Sequence, residues 1–413
     1  MGKTAVEVLA RGVDTLLLNV YYEDEQGKPI KRDLTHELVE RLDAWKQGAI
    51  EAEEPIIVPW TFEGANLKMY PHGAGRGQWR WLLTCDALNL CLSRGRLNCV
   101  AMVRCSSEYL WGSRSLEDSI VHVNAFLEEI MQTPVFLQVS EVHLCADLVG
   151  WDVGAVNYRR EFVSRSRKRA DYQVTDLDVH DYSYGLHRSG LSFSAHGPMS
   201  CAIYDKTREL HASGKYWFED LWRCNGWQEG QTVWRIEFRF KREMLHEFYI
   251  KDEVHGIEDA YELPERLAQL WAYAAGQVGA DEDESSSGWL RLVVPSETDE
   301  RRARWPTHPI WKEVQRAFLR EPSRPEHFGK IIRKRKRQYN IQKGVEAALG
   351  YGTSLSAWVG DELAGEDVDL SVFLHWFVQA AYEHMEQKEM DFGAEVLRKR
   401  LRFGLQTQKG VAS

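Results

Sequence analysis

The sequence predicts an α+β protein: a central, largely antiparallel sheet flanked by helices, followed by a mainly α-helical C-terminal region. Three observations carry this. Short apolar segments rich in β-branched and small residues recur between polar, glycine-bearing connections, as paired strands require. Two segments with helical spacing interrupt them in the first third of the chain. From about Gly256 onward nearly every apolar segment has helical spacing instead.

In chain order, "VDTLLLNVYY" (13–22) reads as a first buried strand. "THELVERLDAWKQGAIEAE" (35–53) comes next with helical spacing and Thr35 placed as its cap. "RWLLTCDALNLCLS" and "LNCVAMVRCS", separated by the turn-like "RGR", suggest a meander of strands. In "SLEDSIVHVNAFLEEIMQT" (115–133), Ser115 with Asp118 three positions on forms a capping pattern ahead of an amphipathic helix. Four further strand candidates come after it: "VFLQVSEVHLCADLVG", "LSFSAH", "MSCAIYDK" and "TVWRIEFRFK". The helical segments after Gly256 set a two-domain division at 1–255 and 256–413, and the basic "KIIRKRKRQYNIQK" (330–343), if it continues a helix, would surround that helix with seven cations.

Composition narrows the function classes. The chain has 413 residues, enough for a sizeable interior, and a formal charge of −10, which excludes a uniformly basic coat for nucleic acid. Basic residues are instead local: "SRSRKR" at 164–169, "ERRAR" at 300–304 and seven cations within 330–343. The seven cysteines lack any C-x-x-C or zinc spacing and read as reduced, buried side chains. No apolar run reaches membrane-spanning length and the N-terminus lacks a signal-peptide pattern, so the expectation is a cytoplasmic protein without membrane partners.

Three strands carry polar groups that an ordinary core avoids. Side chains alternate along a strand, so His143 and Asp147 in "EVHLCADL" share one face. In "VWRIEFRFKRE", Arg235, Glu237 and Arg239 share a face opposite Trp234, Ile236, Phe238 and Phe240. Taken singly, such strands also read as solvated faces with cross-strand ion pairs. Taken together, Asp147 and Glu237, with His143, form a candidate site for a hard divalent ion, Mg²⁺ or Mn²⁺, able to polarise a phosphodiester. Tyr204 in "CAIYDKTRE" then reads either as a packing aromatic or as a nucleophile. Lys206, on the same face if the strand continues, would be its cation, and Glu209 either orients Lys206 or begins a helix.

These three stretches, in this order, resemble the replication initiation factors of rolling-circle plasmids and related mobile elements, often grouped as the Rep_trans family. The family pattern is an R-L-D-L-A-F-D-like strand, then R-I-Y-N-K-x-x-E, then L-W-R-V-E-I-E-L-K-R. Here "EVHLCADL", "CAIYDKTRE" and "VWRIEFRFKR" correspond, the last along its whole length, and "GLSFSAHGPMS" resembles the glycine-containing hairpin before the tyrosine. The resemblance covers about residues 10–255. It implies a Rep-like nicking and joining endonuclease of the broad HUH class, whose tyrosine attacks one DNA strand and stays attached to the 5′ phosphate. Tyr204 takes that place, and Asp147 and Glu237 those of the metal site. His143 stands where the family has its first aspartate, and Arg104 where an earlier strand can carry an acid, with Glu108 the nearest acidic residue.

An initiator must also find its origin, which needs phosphate contacts for affinity and base contacts for specificity. Arg235, Arg239, Arg304, Arg333, Lys334, Arg335, Lys336 and Arg337 are the candidate DNA contacts, with Trp305 a base-stacking or packing aromatic. The expected partners are origin duplex and single-stranded DNA, with a host helicase and a second copy of the chain as further possibilities. A conjugative relaxase or transposase-like enzyme would use the same chemistry. A noncatalytic DNA-binding or partition protein could keep the scaffold without the chemistry. Two histidines fall outside this pattern: His122 lies in a helical pattern, and His308 precedes Pro309 at a helix start.

Overall fold

Hydrophobic alternation along the longest strands builds one extended antiparallel sheet, seen in a computed structural model of the chain. The described residues are 6–94, 97–112, 114–165, 179–184, 187–195, 197–249, 256–278, 285–318, 332–333, 341–359, 369–388 and 390–403. Among them, twelve strands form the main sheet. Its centre is the long first strand Glu7–Glu23 paired with Val135–Val149. Beyond Val135–Val149 the order continues through Trp234–Lys241, Met199–Asp205, His187–Phe193 and Val179–Tyr184. On the other side lie Ala101–Cys105, Leu88–Leu92, Trp81–Thr84, Ala65–Met69 and Ile56–Phe62. These pairings are antiparallel, which makes the fold α+β with a large antiparallel sheet.

The predicted helices form where their caps are. Thr35 accepts from the Leu38 amide and starts the helix His36–Ala52, and Ser115 accepts from the Asp118 amide and starts Leu116–Met131. His308 caps Pro309–Arg316 through its ring nitrogen. His122 lies on the exposed side of its helix, 3.1 Å from Glu63.

The division of the chain differs from the expected one. Two units separate at Arg335 and Lys336. Residues just after 256 complete the first unit, because the sheet's apolar face needs a cover. Trp234, Ile236, Phe238 and Phe240 share a core with Leu263, Leu270, Trp271, Trp311 and Phe318. Trp271 meets Phe238 edge-on at 5.2 Å and donates to the Val314 carbonyl, while Trp311 donates to the Ala275 carbonyl. The helical spacing after Gly256 is a sound guide to secondary structure, but it does not mark a separate core.

The second unit contains the described helices Ile341–Trp358, Leu370–Gln387 and Phe392–Phe403. The last two are separate, and Asp391 caps the second by accepting from the Ala394 amide. The basic segment is not one helix. Ile332–Arg333 is extended and pairs with Phe248–Tyr249, the next helix begins at Ile341, and Lys334, Arg335, Lys336 and Arg337 lie outside the described residues. No helix among the described residues is long and apolar enough to cross a membrane.

A fragment ending at Arg335 is expected to unfold cooperatively near the melting temperature of the full chain's first transition. One ending at residue 255, stripped of Trp271 and Trp311, should bind a hydrophobic dye and lack a cooperative melt. Equal melts for the two fragments would contradict this division.

Candidate active site

The three polar strands are neighbours in the sheet, and their registers align the polar residues in rows. Tyr204 pairs with Arg235, which pairs with Asp147. Ala202, Glu237 and Cys145 form the next row, and Ser200, Arg239 and His143 the one after. Tyr204, Glu237, Asp147 and His143 therefore share one face of the sheet.

That face is enclosed rather than solvated. Asp147 and Arg235 are 0% exposed and Glu237 3%. The cover comes from the segment after the tyrosine strand. Asp205 ends the strand and caps the helix Lys206–Ser213, and Trp217–Cys224 lays Phe218 and Trp222 over the face. Lys206 is thus the first helical residue rather than a continuation of the strand.

Arg235 is the hub. Its Nε and Nη2 donate to the two oxygens of Asp147 at 2.6 and 2.8 Å, and its Nη1 donates to Asp14 at 2.5 Å. Trp222 Nε1 donates to Asp147 Oδ2 at 2.9 Å, and the centre of the Phe218 ring lies 4.4 Å from the guanidinium carbon. Burial works against the Arg235 charge, but Asp147 outweighs it and raises its pKa well above the ordinary value. Asp14 reaches the cluster from a bulge, a register shift between Val13 and Thr15 in the first strand. Nearby Gly12 is constrained by contact, since a Cβ there would stand 3.0 Å from the Trp111 ring.

A second line of hydrogen bonds runs beside the hub. The Tyr204 hydroxyl donates to Glu237 Oε2 at 2.9 Å. Glu237 Oε1 accepts from Arg239 Nε at 2.7 Å and lies 3.0 Å from His143 Nδ1, while His143 Nε2 lies 2.7 Å from Glu141. An imidazole with a carboxylate on each nitrogen is best satisfied as the doubly protonated cation. Burial lowers the His143 pKa, but Glu141 and Glu237 prevail and raise it. For Glu237, burial pushes upward, yet His143, Arg239 and Arg235 hold its carboxyl far below the usual range. Tyr204 is half-buried, and burial and the Glu237 charge both raise its hydroxyl pKa well above the ordinary value.

Lys206 does not touch the Tyr204 hydroxyl. Its ammonium pairs with Glu209, lies 4.8 Å from the centre of the Phe218 ring and 5.9 Å from that of Tyr204. Burial, then repulsion from Arg235, lower its pKa.

These contacts bear on the metal that the family resemblance implies. Both Asp147 oxygens are taken by Arg235 and Trp222 in a fully buried position, and both Glu237 oxygens by Tyr204, Arg239 and His143. Among the described residues no group of three or more His, Cys, Asp or Glu is arranged around a common metal position. As arranged, Asp147, Glu237 and His143 do not fit Mg²⁺ or Mn²⁺: cations and hydrogen-bond donors occupy the places an ion would take.

The expected DNA contacts that lie within the described residues differ in exposure. Arg235, with no exposed surface and three carboxylate contacts, has no room for a phosphate, a correction to its reading from strand alternation alone. Arg239 keeps 41% of its side chain exposed, and Arg304 is exposed. Trp305 is buried, with its indole donating to the Asp299 carbonyl, and so packs rather than offering a stacking face. Arg333 has the extended backbone described above. Asp14, Glu141, Phe218 and Trp222 join the site without a distinctive pattern in the sequence, and only the lone acid within "VDTLLLNV" hints at one of them.

Because folded His143 holds its proton more tightly than the unfolded chain, its contribution to stability is complete below pH about 6.5 and fades as the pH rises through its higher folded value. The denaturant midpoint of the wild type should therefore fall relative to that of His143→Gln as the pH is raised across that window. Parallel pH profiles for the two proteins would refute the pairing.

No family model matches the chain. A stretch of 154 residues is 30% identical to the uncharacterized protein ORF430 of Pseudomonas phage Pf1, covering 33% of this chain. The match spans 35% of that protein's length. Among solved structures, a rolling circle replication initiator protein from Geobacillus stearothermophilus is similar at 12% identity and a TM-score of 0.40, over 74% of this chain and 97% of that one.

Proposed function

We propose that this protein is a rolling-circle replication initiator that nicks and rejoins one DNA strand through a covalent link between Tyr204 and a 5′ phosphate. The observation that carries the reading is the 2.9 Å hydrogen bond from the half-buried Tyr204 hydroxyl to Glu237, beside the partly exposed guanidinium of Arg239. The resemblance of the three strands to the initiator family supports it, and those strands are adjacent in the sheet.

In this reading the Tyr204 oxygen attacks the phosphorus as its proton passes to Glu237 Oε2. The new P–O bond forms as the bond to the 3′ oxygen breaks, and that oxygen leaves as a hydroxyl by taking a proton from a water molecule, whose hydroxide is neutralised by the proton held on Glu237. Rejoining reverses these steps. Arg239 neutralises charge on the phosphate as it develops. His143, flanked by two carboxylates, fixes Glu237 so that Oε2 stays toward the tyrosine. Lys206 acts at a distance, adding positive potential beside the phenol ring. Arg239 and Arg304, with the basic residues from Arg333 to Arg337, hold the DNA. No step is assigned to a divalent ion, since the carboxylates as arranged do not fit one.

One observation favours a second reading, a DNA-binding or partition protein without catalysis. Tyr204 is held neutral, and both carboxylates are saturated by cations and donors. A single assay separates the two. The protein is incubated with single-stranded fragments tiling its own genetic element, with Mg²⁺, with Mn²⁺ and with a chelator, and then denatured. The nicking reading expects a denaturation-resistant protein–DNA band whose attached peptide contains Tyr204. Tyr204→Phe should abolish the band while keeping duplex binding, and Glu237→Gln should slow its formation by roughly 10²- to 10⁴-fold. Persistence of the band in Tyr204→Phe would overturn the assignment, and no band on any fragment would favour the binding protein.

A further inference from the structure

Several strands away from Tyr204, at the opposite part of the sheet, a half-open cavity of about 370 Å³ is lined by Lys46, Trp79, Arg80, Ser93 and Arg94, with glycines of the 73–77 loop. Three different elements bring these groups together. Lys46 comes from the helix His36–Ala52, Arg80 from the turn before Trp81–Thr84, and Ser93 and Arg94 from the end of Leu88–Leu92. The glycine loop folds tightly on itself through paired backbone hydrogen bonds between Ala74 and Trp79. A Cβ on Gly73 would stand 2.0 Å from the Trp79 carbonyl oxygen, so the close approach requires glycine.

The lining is cationic and, among the described residues, contains no carboxylate. The neighbouring acid, Asp43, is engaged by Arg80 Nε at 2.9 Å and Trp81 Nε1 at 3.0 Å. Lys46 donates to the Arg80 carbonyl at 2.7 Å, which leaves further ammonium protons for another acceptor. Burial and then the Arg80 charge lower the Lys46 pKa, with Asp43 opposing. An anion in the cavity would relieve that crowding of like charge.

The decisive feature is Ser93. It is 2% exposed, and its Oγ has no hydrogen-bond partner among the described residues, although it lines the cavity. A buried hydroxyl without a partner is costly, and a ligand oxygen would satisfy it.

We propose that this cavity binds a phosphoryl group, carried either by a free nucleotide or by a nucleic-acid backbone, with Lys46 and Arg94 supplying charge and the Ser93 hydroxyl donating a hydrogen bond. The group preferred is a phosphate ester because charged and neutral donors converge from separate elements, as a multi-oxygen anion accepts them. The volume also leaves space for the sugar or base attached to it.

The test uses the full chain and three probes: inorganic phosphate and deoxyadenosine 5′-monophosphate by calorimetry, and a labelled single strand of about 12 nucleotides by fluorescence anisotropy. Ser93→Ala, Lys46→Gln and Arg94→Gln are compared with wild type after thermal melts establish that each is folded. Removing one charged contact is expected to weaken binding about tenfold. Weakening on the oligonucleotide, with or without the mononucleotide, identifies nucleic acid as the source of the phosphate. Weakening on phosphate or the mononucleotide alone identifies a free phosphate ester. Wild-type affinity in all three variants for every probe, or no binding of any probe by the wild type, overturns the proposal. Tyr204→Phe should keep wild-type affinity for the mononucleotide, so this proposal and the nicking reading can fail separately.

Discussion

Arg235 stands in the middle of the sheet with no exposure to water, and that placement dictates much of what surrounds it. A buried guanidinium is tolerable only when its charge and donors are satisfied. Asp147 answers two of its nitrogens from the adjacent strand, Asp14 a third from a bulge, and Phe218 and Trp222 close over the pair. The bulge in the first strand, the absence of a side chain at Gly12 and the position of the Trp217–Cys224 helix all serve this enclosure.

Tyr204 lies in the same cross-strand row as Arg235, so whatever holds Arg235 also holds the tyrosine strand in register. Glu237, one row along, is held through Oε1 by Arg239 and His143 and presents Oε2 to the phenol. The polar face is a hydrogen-bonded lattice that is partly open at Tyr204 and Arg239. In the proposed nicking reading a DNA strand would approach at Tyr204 and Arg239, where the cover is incomplete.

Much of this is legible in the sequence because alternation is a property of the strand itself. Arg235, Glu237 and Arg239 have to share a face, as do His143 and Asp147, and the antiparallel sheet with its capped helices comes from local pattern. What alternation cannot show is which polar residues satisfy one another. Asp147 reads as a ligand because a carboxylate on a sheet face invites a cation, and the cation facing it is an arginine from the next strand. The face that alternation alone leaves solvated is buried because the two short helices after Asp205 fold back over it, a tertiary event absent from strand spacing. The change to helical spacing at Gly256 is real, but it marks the layer that covers the sheet, with the two units separating only after Arg335.

The dependence of the face on the Arg235–Asp147 pair is measured most directly by a double-mutant cycle in chemical denaturation. Asp147→Leu alone should lose about 3–5 kcal/mol, because it strands a buried charge, and Arg235→Met alone should cost a comparable amount. The double substitution should be markedly more stable than the sum of the two losses implies, with a coupling of about 1–3 kcal/mol. Additive losses would mean that the two residues do not hold each other, and the organisation of the face around Arg235 would be wrong.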